Sequence, residues 1–160
     1  MVRRALLLLL CVACSTALYR VEIHIAGRKP GKKDWETAAV DEYVTRLRGA
    51  VDVTTTFYKS GEALEKRLEG LSPVVCLDPR GEVADSERFC SLLYDGLDDG
   101  GSRMHLAIGP AEGFSDDLRR RARLLSLSAL TFPHQVARVL LVEQIYRAHE
   151  IRRGSGYHKI

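Results

Sequence analysis

The stretch Ser126–Ala148, SLSALTFPHQVARVLLVEQIYRA, decides how this chain folds. Small hydroxyls alternate with apolar residues from Ser126 to Thr131, and Phe132, Pro133 and His134 then end the alternation. The remainder of the stretch is helical. At 100° per residue, Val136, Val139, Leu140, Leu141, Val142, Ile145 and Tyr146 fall almost all the way round the axis. A helix apolar on every side is buried on several sides, so this one is expected to be held in the fold and also covered by a partner subunit. Glu143 and Arg147, spaced four apart on it, can pair, and their charges need compensation if buried. The hydroxyl-rich lead-in reads as a loop at a ligand edge, with His134 beside the pocket.

Upstream, strand and helix signals alternate. Tyr19–Gly27 (YRVEIHIAG) alternates apolar and polar residues and ends in glycine, as a strand does. A helix is expected to open at the N-cap Asp34 and close at Gly49, with Ala38, Val40, Tyr43, Val44 and Leu47 as its apolar stripe. VDVTTTFY (51–58) is a β-branched strand, and SGEALEKRLEG (60–70) a short helix. PVVCLD (73–78) is the short apolar run of a buried parallel strand. SERFCSLLYDGL (86–97) is helical, RMHLAIG (103–109) is a strand, and Ser115 with Asp116 and Asp117 opens another helix. The pattern predicts one α/β domain with a mostly parallel sheet. In such sheets ligands bind beyond the carboxyl ends of the strands. The candidate loops are therefore LDPRGE (77–82), IGPAEGFS (108–115) and SLSALTFPH (126–134). The second is neither a Walker A loop nor a G-x-G-x-x-G fingerprint; it is a tight turn, or a cradle of backbone N–H groups for an anion.

The first residues differ from the rest. Two arginines precede an unbroken apolar run, Ala5–Cys14, and small residues come next, the order of a cleavable targeting leader. Residues 1–18 are therefore set apart, leaving residues 19–160 as a single domain. Without Arg3 and Arg4 the basic residues fall from 24 to 22 against 21 acids, a net charge of about +1, well short of the basic excess of a strong nucleic-acid binder. The runs RKPGKK (28–33) and RRRAR (119–123) are either solvated faces or an RNA-facing patch. Cys11 and Cys14 lie in the leader, while Cys76 and Cys90 sit in apolar contexts and read as core. No His/Cys cluster has metal-ligand spacing, so no metal is expected, and His24, His105 and His149 read as structural or surface residues. No G-x-S-x-G elbow is present to build a triad. The tail RRGSGYHKI (152–160) is either loose or an ordered segment that delivers Tyr157 and His158 to a site.

The segment from Leu106 to Ile160, above all LSLSALTFPHQ, RVLLVEQIYRA and YHK, resembles the C-terminal half of the RlmH family. These are SPOUT-type methyltransferases that act on a pseudouridine of large-subunit ribosomal RNA. IHIAGRKPGKKDWETAAVDEY and VVCLDPRGE extend the resemblance more loosely. It implies a SPOUT-type parallel-sheet α/β domain with a C-terminal trefoil knot, an exception to the rule against threaded chains. It further implies S-adenosylmethionine bound in the knot, no metal, and a homodimer in which each subunit completes the other's site. Carried over by position, the cofactor contacts fall on Leu77, Gly109, Leu127, Ser128, Ala129, Leu130, Thr131 and Phe132. The substrate side falls on His134, Arg138, Glu143, Tyr146, Arg147, Tyr157 and His158, with individual roles unassigned. The expected reaction is methyl transfer to N3 of the pseudouridine, driven by alignment and helped by a nearby base. Arginines would hold phosphate or base oxygens and an aromatic ring would stack on the flipped base. Three features depart from the family pattern: Gly109-Pro110-Ala111 where two adjacent glycines are usual, Ser155-Gly156 in the tail, and a short segment after Tyr58. They keep open a non-catalytic ribosome-binding protein on the same fold, or a methyltransferase with another RNA target. A leader on a ribosome-modifying enzyme points to an organelle with bacterial-type ribosomes, a plastid ahead of a mitochondrion, and to no membrane association in the mature form.

Overall fold

The computed structural model describes residues 18–159. The expected leader, with Cys11 and Cys14, lies outside the described residues apart from Leu18. Five strands and five helices alternate: β1 (Tyr19–Ala26), α1 (Trp35–Leu47), β2 (Val51–Tyr58), α2 (Gly61–Leu68), β3 (Val74–Val83), α3 (Ser86–Asp99), β4 (Arg103–Ile108), α4 (Asp116–Arg121), β5 (Arg123–Ser126) and α5 (His134–Arg152). The sheet order is β2-β1-β4-β3-β5 and each neighbouring pair is parallel.

Period-two alternation in the strands feeds two cores. Val21, Ile23 and Ile25 of β1 and Met104, Leu106 and Ile108 of β4 face α1, α3 and α5, where Val40, Leu47, Phe89, Leu93, Leu141, Val142 and Ile145 close the larger core. Ala26, Cys76 and Ala107 face the other way, against Leu64 and Leu68 of α2 and Leu118 of α4. With helices on both faces the sheet is covered as parallel sheets require. Cys76 and Cys90 are both free and buried, as expected of core residues, and burial pushes the Cys76 thiol up to about 12.

Most expected elements are present, with three differences. β3 does not stop at Asp78. Leu77 and Glu82 both pair with Leu125, so residues 78–81, expected as a loop, bulge out of one continuous strand. β5 was not expected at all. It is four residues long, at the sheet edge, and its two leucines come directly after the arginine run. Gly81 admits it, because a Cβ there would overlap the backbone of Leu124 and Leu125. Finally, Asp34 occupies the N-cap of α1 without capping it; its carboxylate accepts the Gly31 N–H at 2.8 Å and pairs with Arg28 at 3.3 Å. Ser60, Asp85 and Ser115 do cap α2, α3 and α4. Among the described residues no helix is long and apolar enough to cross a membrane.

Candidate active site

Beyond the carboxyl ends of β3, β4 and β5 lies a cavity of about 640 Å³. Three segments distant in sequence wall it: the β3 bulge from Leu77 to Arg80, the turn from Gly109 to Phe114, and the stretch from Ser126 to His134. Each wall has a local cause. At Gly109 a Cβ would meet the ring of the buried Phe114 at 3.0–3.1 Å, so glycine lets the turn fold back on that ring. The turn closes with the Gly113 N–H donating to the Pro110 carbonyl at 2.9 Å. Gly113 takes φ +82°, a left-handed conformation that glycine adopts without strain. The bulge is anchored by Asp78, almost fully buried, which accepts the Arg80 N–H at 2.9 Å and the Arg119 Nε–H at 2.8 Å. Burial alone would raise this carboxyl, but those two donors outweigh it and hold it below the usual carboxylate range.

The hydroxyls of the third wall are spent on its own shape. Ser126 Oγ donates to the Ser128 carbonyl at 2.8 Å, and Ser128 Oγ accepts the Leu130 N–H at 3.0 Å. This local bonding pulls the chain out of the strand and explains the hydroxyl-rich sequence before the helix. Leu77, Gly109, Leu127, Ser128, Leu130, Thr131 and Phe132 all line the cavity as expected. Ala129 does not; it is exposed, at the outer tip of the turn that Ser128 stabilises.

His134 opens α5 and lines the same cavity, and its imidazole makes no hydrogen bond to a described residue. One turn on, Arg138 is 9% exposed, with Nε and Nη1 buried and without hydrogen-bond partners among the described residues. Its guanidinium lies 5.2 Å from the Phe57 ring centroid. Burial lowers its pKa, opposed by Glu36 and Asp41. Arg138 and His134, with Arg28, Glu36 and Phe57, line a second cavity of about 320 Å³ next to the first.

A family model described as "Predicted SPOUT methyltransferase" matches residues 20–158. Two curated relatives bear the name ribosomal RNA large subunit methyltransferase H. The protein of Protochlamydia amoebophila is 40% identical over 80% of this chain and 91% of its own length. That of Oleidesulfovibrio alaskensis is 40% identical over 78% and 89%. The chain belongs to the RlmH family of SPOUT methyltransferases. The fold agrees: a solved structure described as a probable methylase family protein from Haemophilus influenzae superposes with a TM-score of 0.53 at 8% identity, covering 88% of this chain and 70% of that one.

In this member of the RlmH family the remaining residues expected on the substrate side form a separate group. Glu143 Oε1 accepts Arg147 Nη2 at 2.6 Å and the Tyr157 hydroxyl at 3.1 Å, while its Oε2 accepts Gln144 Nε2 at 2.6 Å. Tyr157 packs edge-on against Tyr146 with centroids 4.9 Å apart, and Arg147 lies 4.8 Å from the Tyr157 centroid. His158 Nδ1 is 3.5 Å from Arg147 Nη1. The tail is thus tied to α5, not loose. Burial, then the bond to Glu143, raises the Tyr157 phenol, so it stays protonated. At 1.5 Å per residue, Glu143 and Arg147 lie about 14 and 20 Å along α5 from His134. Within one chain they do not reach the cavity. In the arginine run Arg119 pairs with the buried Asp78, while Arg120 and Arg121 pair with Asp117, and Arg123 with Glu82, on the exposed surface. Asp78 and Phe114 lie in loops expected at the ligand edge but were not singled out there, and Arg119 was not expected at the site. The one signal for Asp78 was its position at the end of an apolar strand run, and Arg119 was hidden in a charge run.

Proposed function

We propose that this chain is an S-adenosylmethionine-dependent methyltransferase for N3 of a pseudouridine in large-subunit ribosomal RNA, acting as a homodimer with a knotted C-terminal segment. The observation that carries the reading is convergence. Family-matched positions at 77, 109, 127, 128 and 130–132 meet on one cavity, and the buried Arg138 guanidinium, two of whose nitrogens have no hydrogen-bond partner among the described residues, stands beside it. The cavity falls in the size range of small-molecule sites, and Leu77, Ile108, Leu127 and Phe132 offer apolar walls for an adenosine while the adjoining backbone offers polar groups. The Gly109–Gly113 turn and the Leu127–Phe132 wall would hold S-adenosylmethionine, which would supply an activated methyl group.

The chain's own residues do the rest. The target nitrogen must lose its proton, and charge then develops on the flanking carbonyl oxygens. Arg138 is placed to hold that charge from a buried position, where a fixed cation is worth more than in water. His134 stands between the two cavities, its imidazole without a hydrogen bond to a described residue, and is placed to accept the proton. Glu143 is already engaged by three donors, so it positions Arg147 and Tyr157 instead of acting as the base. The distance from that group to the cavity supports the homodimer, because a second subunit can bring its own Arg147, Tyr157 and His158 to the edge that one chain leaves open. The leader supports delivery to an organelle with bacterial-type ribosomes, a plastid ahead of a mitochondrion.

The test is methyl transfer from labelled S-adenosylmethionine to pseudouridine-containing intact ribosomes and to free large subunits, with modification mapping of the product. Methylation at N3 of a single large-subunit pseudouridine is the expected result. Cofactor binding without methylation of either substrate would favour another RNA target, and no cofactor binding would favour a non-catalytic ribosome-binding protein.

A further inference from the structure

We propose that Glu22, His24 and His105 form a zinc site on the α2 face of the sheet, separate from the methyl-transfer cavity. β1 and β4 are hydrogen-bonded neighbours, and their parallel register places Glu22 beside His105. Residues two apart on a strand share a face, so Glu22 and His24 both point to the side that carries His105. Two central strands therefore fix the ligand set, with no loop involved. Both imidazoles are buried, at 2% and 3% exposure, while the Glu22 side chain at 22% leaves an opening to solvent.

In the metal-free chain the two imidazoles share a hydrogen bond, and the spacing of the three ligand atoms also admits an ion in place of that proton. His24 Nε2 is 3.1 Å from His105 Nδ1. Glu22 Oε2 lies 3.6 Å from His105 Nδ1 and 4.0 Å from His24 Nε2. A point about 2.1 Å from all three atoms exists at the centre of that triangle, which is the bond length of zinc to nitrogen or oxygen ligands. The two Glu22 contacts are too long for hydrogen bonds, so the carboxylate faces the imidazoles without bonding to either. The Glu22 carboxylate makes no hydrogen bond to a described residue, and its other oxygen is 3.6 Å from Arg103 Nε. The outer contact is also present. Tyr58 Oη is 2.9 Å from His24 Nδ1; a proton on Nδ1 directed to Tyr58 leaves the Nε2 lone pair facing the ion, the arrangement that orients metal-bound imidazoles. Two imidazoles and one carboxylate favour zinc over the oxygen-seeking magnesium and calcium, and three protein ligands leave a position for water.

The experiment uses the full chain, stripped with a chelator and titrated with zinc against a chromophoric competitor, with cobalt(II) as a spectroscopic substitute. One zinc per chain at this site is expected, together with a rise in Tm on zinc addition. E22Q and H105Q are expected to weaken that zinc by more than tenfold, and Y58F, which touches no metal, by about tenfold. Cobalt should show d–d bands without thiolate charge transfer, which separates this site from the Cys11-x-x-Cys14 pair. E22Q, nearly isosteric and partly exposed, keeps the fold and should leave methyl transfer unchanged. Absence of zinc binding, equal zinc binding by E22Q, or cobalt held only on thiolate would each overturn the proposal.

Discussion

Arg138→Met tests the substrate pocket most directly, because stability and function should move in opposite directions. Arg138 is nine-tenths buried, with two guanidinium nitrogens lacking hydrogen-bond partners among the described residues. An unsatisfied buried donor costs about 1–3 kcal/mol, so the pair costs on the order of 2 kcal/mol in the free protein. Methionine removes that cost and fills similar volume, but loses the contact with Phe57, worth about 0.5–2 kcal/mol. The expected net is a stabilisation of about 1 kcal/mol, read as a rise of about 2–4 °C in Tm for a domain of this size. Catalysis should fall. Losing a charge-assisted contact to substrate costs about 2–5 kcal/mol, or about 30-fold or more in kcat/KM for methyl transfer. Thermal unfolding without RNA and methyl transfer to ribosomes read the two effects separately. A variant that unfolds at lower temperature would show that Arg138 already has a partner in the folded protein, such as the second subunit, and would refute the argument. Unchanged kcat/KM would refute its other half.

Three further outcomes are expected. Gly81→Ala forces a Cβ into the backbone of Leu124 and Leu125, so it should destabilise by about 3 kcal/mol or more; a urea midpoint within error of wild type would show that β5 yields freely. Asp78→Asn should cost about 1–3 kcal/mol at neutral pH by weakening the Arg119 contact. The folded carboxyl is depressed, so its contribution is full above the ordinary carboxylate range and is lost as pH falls through the lower folded value. Urea midpoints of wild type and variant should therefore converge in acid, and a gap independent of pH would contradict the assignment. Tyr157→Phe removes one bond to Glu143; stability should fall by less than about 1 kcal/mol, while methyl transfer to ribosomes drops about tenfold or more if the tail completes a site. Full activity would restrict Tyr157 to a structural role.

Much of the cavity was legible because the residues that line it also shape their own backbone. Gly109 marks a turn that folds back on Phe114, and the Ser126 and Ser128 hydroxyls mark a chain leaving a strand. β5 was missed because four residues give period-two alternation little room, and Arg123 reads as part of a charge run until Glu82 is seen to face it. Ala129 was assigned with its neighbours by position, whereas the Ser128 turn projects it outward.

By itself, the sequence determined the alternation of strands and helices except for β5, the two faces of β1, the apolar character of α5 and the family. All of these rest on local periodicity or on matched segments. Only the tertiary structure decided where charges end. It put Arg119 on Asp78 across 41 positions, left two nitrogens of Arg138 without a hydrogen-bond partner among the described residues, and brought His24 to His105 across 81. Those outcomes depend on strand order and register, which set distances between residues far apart in the chain and leave no mark on the spacing within any one segment.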